Sequence, residues 1–206
     1  MIEARHTVSG GLVADFFSGF MLGRAFREIR MHGTPGGDGL PLLVLANHFS
    51  WWDGFIQYRL NGAVFDRTLY TMMLEEQLRR HRVLNRCGCF SVRKGTRDAV
   101  ESLRYCCGLL RDARNAVLLF PQGRIESMHA QRIGFGSGVR YIAERVPGAG
   151  TVLNANFADY GPQRKPSLDI YYEVVPPPLQ PDSMEELYGD FYKRCRARQE
   201  EALWNG

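Results

Sequence analysis

The sequence predicts an α/β fold: a single domain with a mostly parallel central sheet flanked by helices, preceded by an N-terminal amphipathic helix. Three observations predict it. Leu42-Leu43-Val44-Leu45-Ala46 and Ala116-Val117-Leu118-Leu119-Phe120 are short, continuous apolar runs, the pattern of buried strands. Between them, Arg97 to about Arg114 reads as a helix with Val100, Leu103, Cys107 and Leu110 on one face. A helix joining two such strands implies a parallel β-α-β connection. Both runs also empty into polar loops, Asn47-His48 and Pro121-Gln122, and in parallel sheets the ligand site lies beyond the carboxyl ends of the strands.

The length of 206 residues suits one domain with a sizeable core, and two would be cramped. With 45% hydrophobic and 23% charged residues, the composition excludes disordered and fibrous classes. A formal charge of +4 suits an anionic substrate or membrane surface and is too small to argue for nucleic acid, for which no motif is present. The cysteines Cys87, Cys89, Cys106, Cys107 and Cys195 form neither a disulfide framework nor a zinc spacing, so no metal site and a reduced, cytoplasmic setting are expected. No signal peptide or membrane-spanning run is evident.

From Gly11 to about Met31 the rows Leu12, Phe16, Phe20 and Val13, Phe17, Met21 predict an amphipathic helix. Its phenylalanines and nearby Arg24 and Arg27 fit either packing on the domain or peripheral contact with an anionic membrane. Residues 1–36 are therefore set apart as an N-terminal helical segment and loop, and residues 37–206 as the main domain. Gly54 to Leu60 is expected as a short helix stopped at Asn61-Gly62, Val64 to Met73 as a strand and Leu74 to Leu84 as a helix. Thr96 is read as the cap of the following helix. Thr151 to Phe157 is a further strand, and Leu168 to Val174 alternates like one near an exposed position. Ser183-Met184-Glu185-Glu186 is a capping-box pattern opening a final helix.

The stretch Asn47-His48-Phe49-Ser50-Trp51-Trp52-Asp53 carries the chemistry. Histidine exchanges a proton near neutrality, and an aspartate on one ring nitrogen would orient it and support the imidazolium. Their spacing does not itself bring them together. Five residues along a helix overshoot a revolution by about 140°, and an odd separation in a strand puts side chains on opposite faces. A bend between them is required; without one, His48 and Asp53 merely satisfy backbone groups of a strand-end loop.

Asn47-His48, four residues and Asp53 resembles the first signature block of the glycerolipid acyltransferases, the lysophosphatidate acyltransferase family. Phe120-Pro121-Gln122-Gly123-Arg124 resembles the family's Phe-Pro-Glu-Gly-Thr-Arg-Ser block. The resemblance implies a glycerolipid acyltransferase-like fold with His48 and Asp53 as the catalytic pair. It also implies Gln122, Gly123 and Arg124 at the substrate. Cys87 to Gly95 resembles a further block, in which either Arg93 or Lys94 takes the place of a phosphate-binding arginine. Gln122 stands where Glu is usual, Arg124 where Thr is usual and Ile125 where Arg is usual; the fourth block is only loosely met by Thr151 to Phe157.

The implied reaction moves a fatty-acyl group from acyl-CoA or acyl-carrier protein to the hydroxyl of a lysophospholipid, with 1-acylglycerol-3-phosphate the leading acceptor. It calls for no cofactor beyond that donor. Its setting would be the inner face of the membrane, reached peripherally through the N-terminal helix. Another lipid alcohol as acceptor, thioester hydrolysis by an activated water, and a lipid-binding module with a retired site are the competing readings. Oxyanion donors are sought in backbone N–H groups near Gly123 or in a basic side chain such as Arg93. Ser50 reads as a loop residue rather than a nucleophile.

Overall fold

In a computed structural model that describes residues 1–178 and 180–204, one seven-stranded sheet organises the chain. The strands are β1 (Glu28–His32), β2 (Leu42–Ala46), β3 (Thr68–Leu74), β4 (Cys89–Val92), β5 (Asn115–Leu119), β6 (Gly150–Asp159) and β7 (Ser167–Val175). Their order is β1-β7-β6-β2-β5-β3-β4. Every neighbouring pair is parallel except β6 with β7. β2 and β5 lie side by side, with Leu45 opposite Leu119, so the loops after them leave from one edge.

The continuous apolar runs are explained by burial on both faces. Leu43 and Leu45 of β2, with Val117 and Leu119 of β5, pack under α6 (Asp98–Leu109), α7 (Ser137–Arg145) and α8 (Met184–Trp204). Leu42, Val44 and Ala46, with Ala116 and Leu118, face Leu22, Phe26, Phe55 and Ile56 on the other side. There the cover is the N-terminal helix and α3 (Asp53–Leu60). Successive strand residues point to opposite faces, so a two-sided core needs an unbroken apolar sequence.

The N-terminal segment departs from expectation. Its helix begins at Val8, not Gly11, and ends at Ala25, not near Met31: α1 (Val8–Asp15), a π-helical stretch Phe16–Met21, then α2 (Leu22–Ala25). Residues 28–32 form β1, so the sheet reaches across the division drawn at residue 36. The alternation was present: Arg30 and His32 turn to Asp169 on β7, while Ile29 and Met31 pack into the core. β1 also covers the edge of β7, which therefore lies inside the sheet rather than near an exposed position. In the wider i→i+5 turn the drift of a four-residue row is reversed, which helps keep Val8, Leu12, Phe16 and Phe20 exposed on one side.

Other boundaries shift for local reasons. After α3 the chain continues as a π-helical turn, Asn61–Phe65, instead of stopping at Asn61, and the following strand starts at Thr68. The Leu74–Leu84 segment divides into α4 (Glu75–Arg80) and α5 (Val83–Arg86) because His81 leaves helical geometry. Thr96 donates its hydroxyl to the Arg93 carbonyl rather than capping α6, and Ser183 donates to the Gln180 carbonyl.

Gly10 packs α1 against the backbone of α5, where a Cβ would drive into the Arg86 carbonyl, whereas a Cβ on Gly11 would meet nothing. Gly10→Ala should therefore cost about 1–3 kcal/mol through overpacking, and Gly11→Ala should gain about 0.5–1 kcal/mol by stiffening the helix. Urea denaturation of the two variants checks this, and equal effects would contradict the close approach of α1 to α5.

Candidate active site

β2 delivers Asn47 and His48 to the sheet edge, and a buried side-chain clamp fixes where they land. The Asn47 amide donates to the Asn156 carbonyl at 3.0 Å, and its oxygen accepts the Asn156 N–H at 2.8 Å. The side chain thus extends the pairing of β2 with β6 by one step. Asn156 in turn donates to the Asn154 side chain at 2.7 Å, which also receives Gln57 of α3 at 2.6 Å. This amide cluster joins strand and helix behind the turn.

The bend that the spacing demanded lies between Ser50 and Asp53, where the Asp53 N–H donates to the Ser50 carbonyl at 3.4 Å. Asp53, the first residue of α3, is fully buried. Its carboxylate accepts from the Phe49 and Ser50 N–H groups at 2.7 and 2.9 Å and from the Ser50 hydroxyl at 2.8 Å. His48 Nδ1 completes the set at 2.6 Å from Asp53 Oδ2. Since Nδ1 faces a carboxylate, Nε2 is left to accept a proton. The ring stacks on Phe120, centroids 4.2 Å apart and planes 16° from parallel. Ser50 is engaged as a donor to Asp53, in keeping with a loop role.

The other block meets this turn from the end of β5. Gln122 Oε1 accepts the His48 N–H at 2.7 Å, and its Nε2 donates to Glu126 Oε2 at 3.1 Å. The Glu126 N–H donates to the His48 carbonyl at 2.9 Å. His48 is therefore gripped at both backbone groups by residues 122–126. Arg124 is exposed at the cleft mouth and donates to Glu126 Oε1 at 2.8 Å. That guanidinium, then Gln122, holds the Glu126 carboxyl below its ordinary range. Gly123 adopts φ +62°, and its N–H is taken by the Phe120 carbonyl at 2.9 Å, which removes that group from the expected oxyanion donors.

Arg93 and Lys94 part company. Arg93 donates to Glu75 at 2.7 Å and Asp98 at 3.2 Å and lies away from the cleft. Lys94 lines the cleft and donates to the Gly123 carbonyl. Of the two, Lys94 is the cation beside His48's cavity. That cavity has a volume of about 830 Å³. Its polar end holds His48, Gln122, Lys94 and Arg124, and its apolar walls include Trp51, Phe55, Leu69, Met73, Leu84 and Leu119.

Glu126, Phe120 and the Asn154–Asn156 pair carry no assigned role in the sequence reading; Phe120 enters it only as the end of an apolar run and the first residue of its block, and the two asparagines only within the strand Thr151 to Phe157. A smaller cleft of about 430 Å³ lies between residues 33–37 and α8. His32, on its lining, makes a second imidazole–carboxylate contact, to the buried Asp169 at 2.7 Å. There the carboxylate also takes both arms of Arg30 at 2.7 Å and Gln199 at 3.1 Å, so it cross-links β1, β7 and α8.

Residues 28–157, more than half of the sequence, match the Acyltransferase family. The chain belongs to that family. No curated protein sequence matches this acyltransferase. Among solved structures, the 1-acyl-sn-glycerophosphate (LPA) acyltransferase PlsC of Thermotoga maritima is similar, with a TM-score of 0.59 at 12% identity. The likeness covers 92% of this chain and 79% of that one, and at such identity it speaks for the fold. The sheet with its flanking helices is thus the glycerolipid acyltransferase-like architecture expected from the two blocks. No helix among the described residues is long and apolar enough to cross a membrane.

Arg93, and secondarily Arg79, hold the Glu75 carboxyl at about 2, below its ordinary 4.5. A depressed folded-state value stabilises fully above the unfolded value and is lost as the pH falls through the folded one. Arg93→Gln should therefore make the loss of stability between about pH 4.5 and 2 shallower than in the parent chain. Urea midpoints across that range test it; parallel curves would show that the Arg93–Glu75 contact carries no stability.

Proposed function

We propose that this acyltransferase moves a fatty-acyl group from an acyl thioester, acyl-CoA or acyl-carrier protein, to the hydroxyl of a lysophospholipid, with 1-acylglycerol-3-phosphate as the leading acceptor. The observation that carries the proposal is the His48 Nδ1–Asp53 Oδ2 contact of 2.6 Å at the end of a cavity that is apolar along most of its walls. His48 Nε2 takes the proton of the acceptor hydroxyl as its oxygen attacks the thioester carbonyl. The tetrahedral intermediate then expels the thiolate, which recovers that proton from the imidazolium. Asp53 keeps the ring in the required tautomer and supports its positive charge. No acyl-enzyme is required by this route, and the Ser50 hydroxyl is engaged with Asp53.

Apolar walls suit the acyl chain and the lipid body, while Lys94 and Arg124 suit a phosphate or the phosphates of the donor. Lys94 also supplies a positive charge for the oxyanion. The exposed Val8, Leu12, Phe16 and Phe20, joined to exposed Trp51 through Phe17, support peripheral contact with the membrane. The setting proposed is the cytoplasmic face. A different lipid alcohol remains the second reading, favoured by Gln122 and Ile125, which stand where the family has Glu and Arg.

His48→Ala should abolish transfer without unfolding the protein, and Asp53→Asn should lower kcat by about 10²–10⁴. Ser50→Ala should retain transfer, with no burst of free thiol in the absence of acceptor. Thiol release from a labelled acyl-CoA, with the product identified by mass, checks all three; substantial activity in His48→Ala would sink the assignment.

Lys94→Ala should raise the KM for a phosphate-bearing acceptor about 10- to 100-fold, the worth of a hydrogen bond to a charged group. Arg124→Ala should raise it less, being solvated, and Arg93→Ala should leave it unchanged. Steady-state kinetics on matched lysophosphatidate and monoacylglycerol acceptors distinguishes these effects, and a KM indifferent to Lys94 would move the phosphate elsewhere.

A further inference from the structure

We infer that Glu126 is a positioning residue for catalysis, acting with Gln122 as a two-residue relay that holds the His48 turn. The inference rests on the reading of His48 as the base and deepens it. Gln122 is bifunctional: its carbonyl oxygen takes the His48 N–H at 2.7 Å, and its amide donates to Glu126 Oε2 at 3.1 Å. An amide can do both at once, whereas a carboxylate is acceptor-only when ionised. Had Glu stood at 122, its second oxygen would face Glu126 and repel it.

The charge that the family places at 122 is therefore found four residues on in this chain. At 126 it fixes the orientation of the Gln122 amide, and so decides that oxygen rather than NH2 points at the His48 N–H. The reversed amide would set donor against donor. Glu126 is itself held by Arg124 at 2.8 Å and, through its own N–H, by the His48 carbonyl at 2.9 Å. The path runs Arg124, Glu126, Gln122, His48, and each link is a hydrogen bond. Replacing the Glu126 side chain leaves the backbone bond to His48 in place and removes the control of Gln122 together with the contact to Arg124.

The arrangement makes a charge exchange diagnostic. Gln122→Glu places two carboxylates at the contact, while the double variant Gln122→Glu/Glu126→Gln restores one donor, one acceptor and one negative charge across the pair. The experiment measures transfer from palmitoyl-CoA to 1-oleoylglycerol-3-phosphate. In parallel, the His48 ring is titrated by NMR in histidine-labelled protein, and thermal melting follows folding.

Glu126→Ala and Gln122→Glu should each lower kcat about 10- to 100-fold, the cost of a small misplacement of a catalytic group, with the KM for palmitoyl-CoA essentially unchanged. The His48 titration should shift in both, and the double variant should recover both kcat and the titration relative to Gln122→Glu. Wild-type kcat and an unshifted His48 in Glu126→Ala, or a double variant no better than Gln122→Glu, would overturn the relay. Absence of transfer by the parent protein would count against the proposed reaction instead; the NMR titrations would still decide whether Glu126 positions His48.

Discussion

Everything at the candidate site depends on one buried negative charge. Asp53 has no exposure to solvent, and an ionised carboxylate is costly there unless its oxygens are filled. Three of its four donors come from Phe49 and Ser50, and the fourth is His48 Nδ1. The turn Ser50-Trp51-Trp52 can take few other shapes and still supply them. The imidazole is consequently oriented by the same requirement that folds the loop. A His–Asp pair of this kind forms in the course of burying the start of α3, and its geometry is not separable from that packing.

The scaffold behind it explains why the charge is tolerable at the end of a strand. β2 stops pairing through its backbone at Ala46, yet the Asn47 side chain continues the exchange with β6 through both its donor and its acceptor. A residue without both functions would leave the Asn156 backbone groups unpaired in the interior, at a cost of about 1–3 kcal/mol. On the neighbouring strand, residues 120–126 supply the ring stack and grip both backbone groups of His48. Two adjacent parallel strands thus bring two blocks, 74 residues apart, to one edge. The cavity opens there because the loops, and not the strands, have to fill that space.

Much of this was legible in the sequence, for reasons that also mark the limit. The runs at 42–46 and 116–120 are apolar throughout because their strands are buried on both faces, and no surface helix requires that pattern. β1 was missed since Glu28-Ile29-Arg30-Met31-His32 alternates over only five residues directly behind a strongly periodic helix, and the longer period prevailed. Its polar face has meaning only once Asp169, some 140 residues on, is known to lie opposite. The two π-helical stretches carry no local signature that periodicity at 3.6 residues can detect. Phe120 and Glu126 were hidden differently: one looked like the last residue of a strand, the other like a loop charge, and each acts on a residue supplied by another strand.

The contacts of Arg93 and Lys94 separate two residues that the motif leaves equivalent. Ser91 on β4 and Arg93 just past its end both reach the buried Glu75, at 3.3 and 2.7 Å. Val92 and Lys94 both line the cavity. β4 ends at Val92 and Lys94 lies in the turn beyond it, so a contact to Arg93 has to set which way this pair divides. Glu75 fixes it: a nearly buried carboxylate requires a cation, Arg79 reaches it from one turn along α4, and Arg93 supplies the second. Arginine's fork can satisfy Glu75 and Asp98 together, which a lysine ammonium on the same stem would do poorly. Lysine is thereby left at the cavity, where it donates to the Gly123 carbonyl, a neutral acceptor that the anionic groups of the proposed substrates would outcompete.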